Sequence, residues 1–167
     1  MGIQEKIASE ESLQIVVFRV GEDYLSCPIS QVREIIQLEE VTTVPSTSLK
    51  IRGIINRRGE IITVIDLPKV LDLDVELDVE DSQLMILFNE NLGVMATEVT
   101  EIPTISTNDI EEPSEALETP VNKKFLEGIV KHDDRLVLLT DLIGMVKNLS
   151  EKSLEKVEEF EKEHSIE

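Results

Sequence analysis

Short apolar runs broken by turn-forming residues recur along the chain, and their lengths are those of strands. Leu13-Gln14-Ile15-Val16-Val17-Phe18 is followed by Gly21-Glu22-Asp23, and Gln83-Leu84-Met85-Ile86-Leu87-Phe88 by Asn89-Glu90-Asn91. Both breaks are rich in residues that accept hairpin dihedrals. Residues 61–65 and 136–139 are almost wholly aliphatic, the pattern of strands buried inside a small closed barrel. Between two such runs, Asn56-Arg57-Arg58-Gly59 is a turn that places Gly59 at positive φ.

The pattern occurs twice in one register. Gly53 and Gly128, Asp66 and Asp141, and Pro45 and Pro120 are each 75 positions apart (128 − 53, 141 − 66 and 120 − 45). Upstream, residues 13–18 resemble 83–88 and residues 30–35 resemble 97–102. Each half predicts strand, turn, strand, short helix, strand, turn, strand, helix, with Val32 and Val99 at matching places after the opening hairpin. The expectation is a mostly β domain over residues 1–150, two intertwined barrel halves of roughly 13–80 and 81–146 that lean on each other. Ser150 then caps an amphipathic helix over 150–167, with Leu154, Val157 and Phe160 on one face that packs as a lid.

Composition narrows the function. Sixteen Lys and Arg against 35 Asp and Glu give a net charge of −19, a field that repels nucleic acid and anionic lipid. Aromatics make up 3 % of the 167 residues, too few for base-stacking platforms. Cys27 is the single cysteine, so no intramolecular disulfide forms and a cytoplasmic location is expected. No apolar stretch reaches the roughly 20 residues of a membrane span, and Gln4, Glu5, Glu10 and Glu11 stand where a signal peptide would be basic and then apolar. Residues 70–122 hold no Lys or Arg, whereas residues 41–59 hold no acid and carry Lys50, Arg52, Arg57 and Arg58. A basic segment on an acidic chain suits an acidic protein partner.

The inventory for catalysis is thin. His132 and His164 are the only imidazoles, both in polar segments, and with one cysteine they assemble no His/Cys zinc constellation. Residues 72–78 alternate acids and aliphatics, but Leu77 and Gln83 stand where a calcium loop needs Gly and Glu. A proton shared between Asp66 and Asp141 would suit a hydrolase. Each, however, ends a strand-like run and opens a helix-like one, where a carboxylate caps free N–H groups for about 1 kcal/mol. Neither a cofactor nor a metal is expected.

The run Ile51-Arg52-Gly53-Ile54-Ile55-Asn56-Arg57-Arg58-Gly59-Glu60-Ile61-Ile62-Thr63-Val64-Ile65-Asp66-Leu67 resembles the signature of the CheW-like family. So do Phe18-Arg19-Val20-Gly21-Glu22-Asp23-Tyr24, residues 29–35 and residues 126–130. The resemblance implies two SH3-like five-stranded barrels and an adaptor without catalysis of its own. It implies coupling of methyl-accepting chemoreceptors, through their cytoplasmic tips, to a CheA-type histidine kinase, or service to a non-flagellar pathway such as surface motility. Carried over residue by residue, the family's partner-facing positions fall on Val32, Glu34, Asn56, Arg58 and Gly59. Arg57 replaces a common aliphatic. Gly53, Gly128, Asp66 and Asp141 are expected to be structural, and Arg58 is the charge expected to meet a partner's carboxylate or carbonyl.

Overall fold

A computed structural model describes residues 2–45, 48–147 and 162–163. Helix α1 (Ile3–Ser9) leads into a hairpin of β1 (Ser12–Val20) and β2 (Asp23–Pro28). A 3-10 turn (Ile29–Gln31) opens β3 (Val32–Gln37), and a second hairpin, β4 (Ile51–Arg57) and β5 (Glu60–Asp66), runs into α2 (Leu67–Val70). The second half follows with β6 (Gln83–Leu87), β7 (Leu92–Ala96), β8 (Glu98–Glu101), β9 (Thr104–Ser106) and β10 (Ile110–Glu111). It closes with β11 (Leu126–His132), β12 (Arg135–Thr140) and α3 (Leu142–Lys147).

The short helix expected after the opening hairpin is a single 3-10 turn in the first half, where Val32 lies on a strand, and is absent in the second, where Thr97 alone separates β7 from β8. β3 pairs antiparallel with β6 from Val32↔Leu87 to Gln37↔Gln83. Its β-branched Val32, Ile35 and Ile36 favour a pleated surface over a helix. Part of the acidic segment 104–121 is also ordered, since β9 pairs with β1 and β10 with β11. The helix expected over 150–167 lies outside the described residues apart from Lys162 and Glu163.

The sequence repeat and the spatial unit differ. One sheet runs β3-β6-β7-β5-β4, and the other contains β8-β1-β2-β12-β11, with β10 beyond β11 and β9 also on β1. Both have the same order once the repeat is applied, but each takes its first hairpin from the opposite half. Two parallel pairings mark the exchange, Thr63↔Leu92 between β5 and β7 and Leu138↔Leu25 between β12 and β2. These are the same pair under two offsets, 75 (138 − 63) and 67 (92 − 25).

Side-chain alternation along the exchanged strands explains the continuous apolar runs. On β1, Leu13, Ile15 and Val17 fill one barrel interior with Val130, Val137 and Leu139, while Val16, Phe18 and Val20 face a core shared by both sheets. On β6, Leu84 and Ile86 fill the other interior, while Met85 and Leu87 join the shared core. The shared core holds 19 buried residues against seven in each interior. At roughly 1.5–3 kcal/mol for each large aliphatic or aromatic side chain buried, it is the larger stabilising unit. One departure from the expected pattern is Leu136, which is 56 % exposed at the start of β12, where its alternation turns it outward.

Candidate functional site

The family-like motif forms the tip of the β4–β5 hairpin. The register Arg57↔Glu60 leaves a two-residue loop, Arg58-Gly59, and both residues have positive φ, 54° and 85°. That is the dihedral sign pattern of a type I′ hairpin turn, which matches the right-handed twist of the strands. Gly59 adopts it freely, whereas a non-glycine residue such as Arg58 holds it at a cost of order 1–3 kcal/mol. Asn56 helps to hold it: its Oδ1 accepts a hydrogen bond from the Gly59 backbone N–H at 3.0 Å. Asn56 therefore locks the turn that presents Arg58, whose side chain is 75 % exposed.

Glu34 on β3 ties this hairpin to the opposite edge of the sheet. Arg57 donates from Nε to Glu34 Oε1 and from Nη2 to Oε2, each at 3.2 Å. Arg58 Nη1 stands 3.6 Å from Oε2 of the same carboxylate. Arg33 and Glu60 form a flanking pair at 3.1 Å. The forked Arg57 contact holds the Glu34 carboxyl below the ordinary carboxylate range against partial burial, with Arg58 and Arg33 adding attraction. Because β3 and β4 are the two ends of the sheet order, this cluster links the edges across which the five strands curl. Beside it, an open groove runs between the same edges, lined by Ile36, Leu38, Thr42, Ile54, Ile55 and Asn56 among others.

The expected site residues divide into two groups. Glu34, Arg57, Arg58, Asn56 and Gly59 come together at the hairpin tip, whereas Val32 is half-buried and packs on the shared core, as Val99 does. Arg52 leaves the basic surface, donating to Asp66 Oδ2 at 3.3 Å and to the Leu77 carbonyl at 2.9 Å. The exposed cationic surface is thus smaller than residues 41–59 suggest, and Arg58 carries much of it.

Asp66 and Asp141 are each engaged locally. Asp66, 2 % exposed, caps α2 by accepting from the Lys69 N–H. Asp141 accepts from the Gly144 N–H at 3.0 Å and from the Gln31 amide at 2.8 Å. Gln31 was not legible as important; its Oε1 also accepts from the Leu142 and Ile143 N–H groups, joining the 3-10 turn of one half to α3 of the other. Gly53 and Gly128 sit at matching β-bulges, where a Cβ would overlap the neighbouring segment, at the Thr42 carbonyl after β3 or at the Ile110 side chain on β10.

Two barrels of one strand order, joined by exchanged hairpins and presenting a cation from a locked turn, define a double-barrel binding module. Comparison with known proteins gives its family. The CheW-like domain model matches residues 14–150, and the chain belongs to that family. It is 31 % identical over 141 residues to the chemotaxis protein CheW of Helicobacter pylori, covering 83 % of this chain and 84 % of that one. It is 26 % identical over 155 residues to the chemotaxis protein CheW of Treponema pallidum, covering 89 % of each. The crystal structure of the scaffolding protein TtCheW from Thermoanaerobacter tengcongensis superposes with a TM-score of 0.70 at 33 % identity, over 80 % of this chain and 86 % of that one.

Proposed function

We propose that the protein is a non-enzymatic cytoplasmic adaptor that couples methyl-accepting chemoreceptors to a CheA-type histidine kinase. In this role it holds the two in one assembly so that the receptor's state alters kinase activity. The observation that carries the reading is Arg58, held 75 % exposed on a strained turn at the position of the family's Asn-x-Arg-Gly motif. A guanidinium presented in this way pairs with a carboxylate or carbonyl in forked geometry, while the chain's net charge of −19 discourages other anionic contacts. Glu34, Asn56, Arg57 and Gly59 complete the partner-facing set by fixing the Arg58 turn, and Val32 belongs to it through β3, the strand that positions Glu34. The local engagement of Asp66 and Asp141 supports an adaptor over a hydrolase. Among the described residues no helix is long and apolar enough to cross a membrane, and recruitment to membrane-anchored arrays proceeds through the receptor.

Co-sedimentation with receptor cytoplasmic fragments and kinase, with phosphorylation read in the same tubes, tests this. Wild type is expected to bind and to change kinase activity. Arg58→Glu is expected to weaken association at least tenfold, about 1.4 kcal/mol, with circular dichroism and melting little changed. Equal binding by the variant would remove Arg58 from the interface, and no binding of wild type to either partner at tens of micromolar would overturn the coupling role.

A further inference from the structure

The Glu34–Arg57 contact has a counterpart in the other sheet with different chemistry. The offset that carries Gly53 to Gly128 carries Arg57 to His132 (132 − 57 = 75), and the offset that carries Leu25 to Leu92 carries Glu34 to Glu101 (101 − 34 = 67). The two meet in space as their counterparts do, with His132 Nε2 2.9 Å from Glu101 Oε1. The hairpin turn is repeated as well. The register His132↔Arg135 leaves Asp133-Asp134 as the loop, with φ of 50° and 61°, so Asp133 takes the place of Arg58. Where one barrel gathers two guanidinium groups on one carboxylate, the other gathers one imidazole and two carboxylates.

Asp133 Oδ2 lies 3.6 Å from the same His132 nitrogen, and one ligand atom from each of Glu101, His132 and Asp133 falls within 4.8 Å of the others. His132 Nε2 is shielded from solvent and yet makes no hydrogen bond. The Glu101 oxygen is close enough but out of line with the ring N–H. An imidazole nitrogen faced by two carboxylate oxygens, with no proton aligned between them, is a borderline-soft donor set suited to divalent zinc and its neighbours. Ligands about 2.0–2.2 Å from a tetrahedral ion stand roughly 3.3 Å apart, and the observed 2.9 and 3.6 Å bracket that separation.

We propose that Glu101, His132 and Asp133 bind a divalent transition-metal ion of the zinc class, through His132 Nε2 and one oxygen from each carboxylate, with water completing the shell. The ion ties β8 to the β11–β12 hairpin as the guanidinium of Arg57 ties β3 to the β4–β5 hairpin. The assignment is independent of the adaptor reading, because it rests on the second barrel alone.

Zn2+ titrated calorimetrically into the full chain, with Mg2+ as the hard-cation control, tests it. One saturable Zn2+ site per chain at micromolar concentration is expected, with no matching Mg2+ site. His132→Asn is expected to weaken it at least tenfold, and Asp133→Asn to weaken it. Asp134→Asn, which removes the same charge one residue away, and His164→Asn are expected to leave it unchanged. Absence of saturable Zn2+ binding to wild type, or equal binding by folded His132→Asn, overturns the proposal. If His132→Asn fails to fold, His164→Asn decides: with His132 its one imidazole, Zn2+ must shift its single set of imidazole ring resonances in NMR, and ring resonances that do not respond to saturating Zn2+ refute an imidazole ligand.

Discussion

Gly53→Ala should be among the most damaging one-carbon changes in the chain. Gly53 sits at the β4 bulge with φ of +149°, and a Cβ there would overlap the Thr42 carbonyl oxygen while standing 2.9 Å from Val41 Cγ1. Thr42 and Ile54 exchange two backbone hydrogen bonds, each 2.9 Å, which fasten the segment after β3 onto β4. Alanine must adopt a backbone conformation that costs about 1–3 kcal/mol. It must also displace Thr42, opening two hydrogen bonds worth roughly 0.5–1.5 kcal/mol each. The total, about 2–6 kcal/mol, lowers the melting temperature of a domain this size by on the order of 10 °C. Gly128→Ala is the internal control. It lies at the equivalent bulge without a positive φ, and its Cβ meets the Ile110 side chain, with the Glu111 carbonyl oxygen at 3.3 Å. Ile110 can turn aside, at the overpacking cost of about 1–3 kcal/mol. Urea and thermal denaturation followed by far-ultraviolet circular dichroism would rank the two, and hydrogen exchange at the Thr42 and Ile54 amides should quicken in Gly53→Ala alone. A Gly53→Ala protein that melts within 2 °C of wild type, or no lower than Gly128→Ala, refutes the account.

Two further outcomes follow from named contacts. Glu34 has its carboxyl held below the ordinary 4.5 by Arg57, so the stabilisation it contributes is complete above that value and is lost as pH falls through the lower folded-state value; Glu34→Gln should flatten this part of the acid limb in urea midpoints measured from pH 7 to 3, and an unchanged slope would show the contact to be energetically silent. Cys27 is fully buried in the shared core, and burial, with Asp141 adding, pushes its thiol far above the usual range; alkylation at pH 8 should track global unfolding, and labelling of the folded chain at the rate of a free thiol would refute close packing there.

What could be read in the sequence was what is local. The 75-residue offset, the Asp66 and Asp141 caps and the Gly59 turn are set by short-range patterns, and each has its counterpart in the structure. Residues 30–35 misled because a 3-10 turn and the first turn of a helix begin alike, and pairing with β6 decides the outcome from 50 residues away. Long-range electrostatics were equally hidden. Nothing in the run from 41 to 59 indicates that Arg52 turns inward to Asp66 while Arg58 stays out, or that Glu101 reaches His132. Those partners are chosen by the curling of sheets, which periodicity does not encode.

Exchange of the hairpins has a mechanical consequence for a scaffold. β1 and β2 leave the first half to complete the sheet of β11 and β12, and β6 and β7 return to complete that of β4 and β5. Neither half can close its own barrel, and the strands that cross between them carry the shared core on their second face. Separating the barrels therefore requires exposing Phe18, Met85, Leu87 and their neighbours, which couples the two surfaces more firmly than a linker between independent barrels would. Divergence is plain at the hairpin tips, where the same backbone turn carries Arg57 and Arg58 on one barrel and His132 and Asp133 on the other. A duplicated frame with different side chains at equivalent tips allows one body to present two different faces, two guanidinium groups on a carboxylate at one and an imidazole with two carboxylates at the other. Exchanging those tips should move the exposed guanidinium turn to the other barrel while leaving the shared core intact.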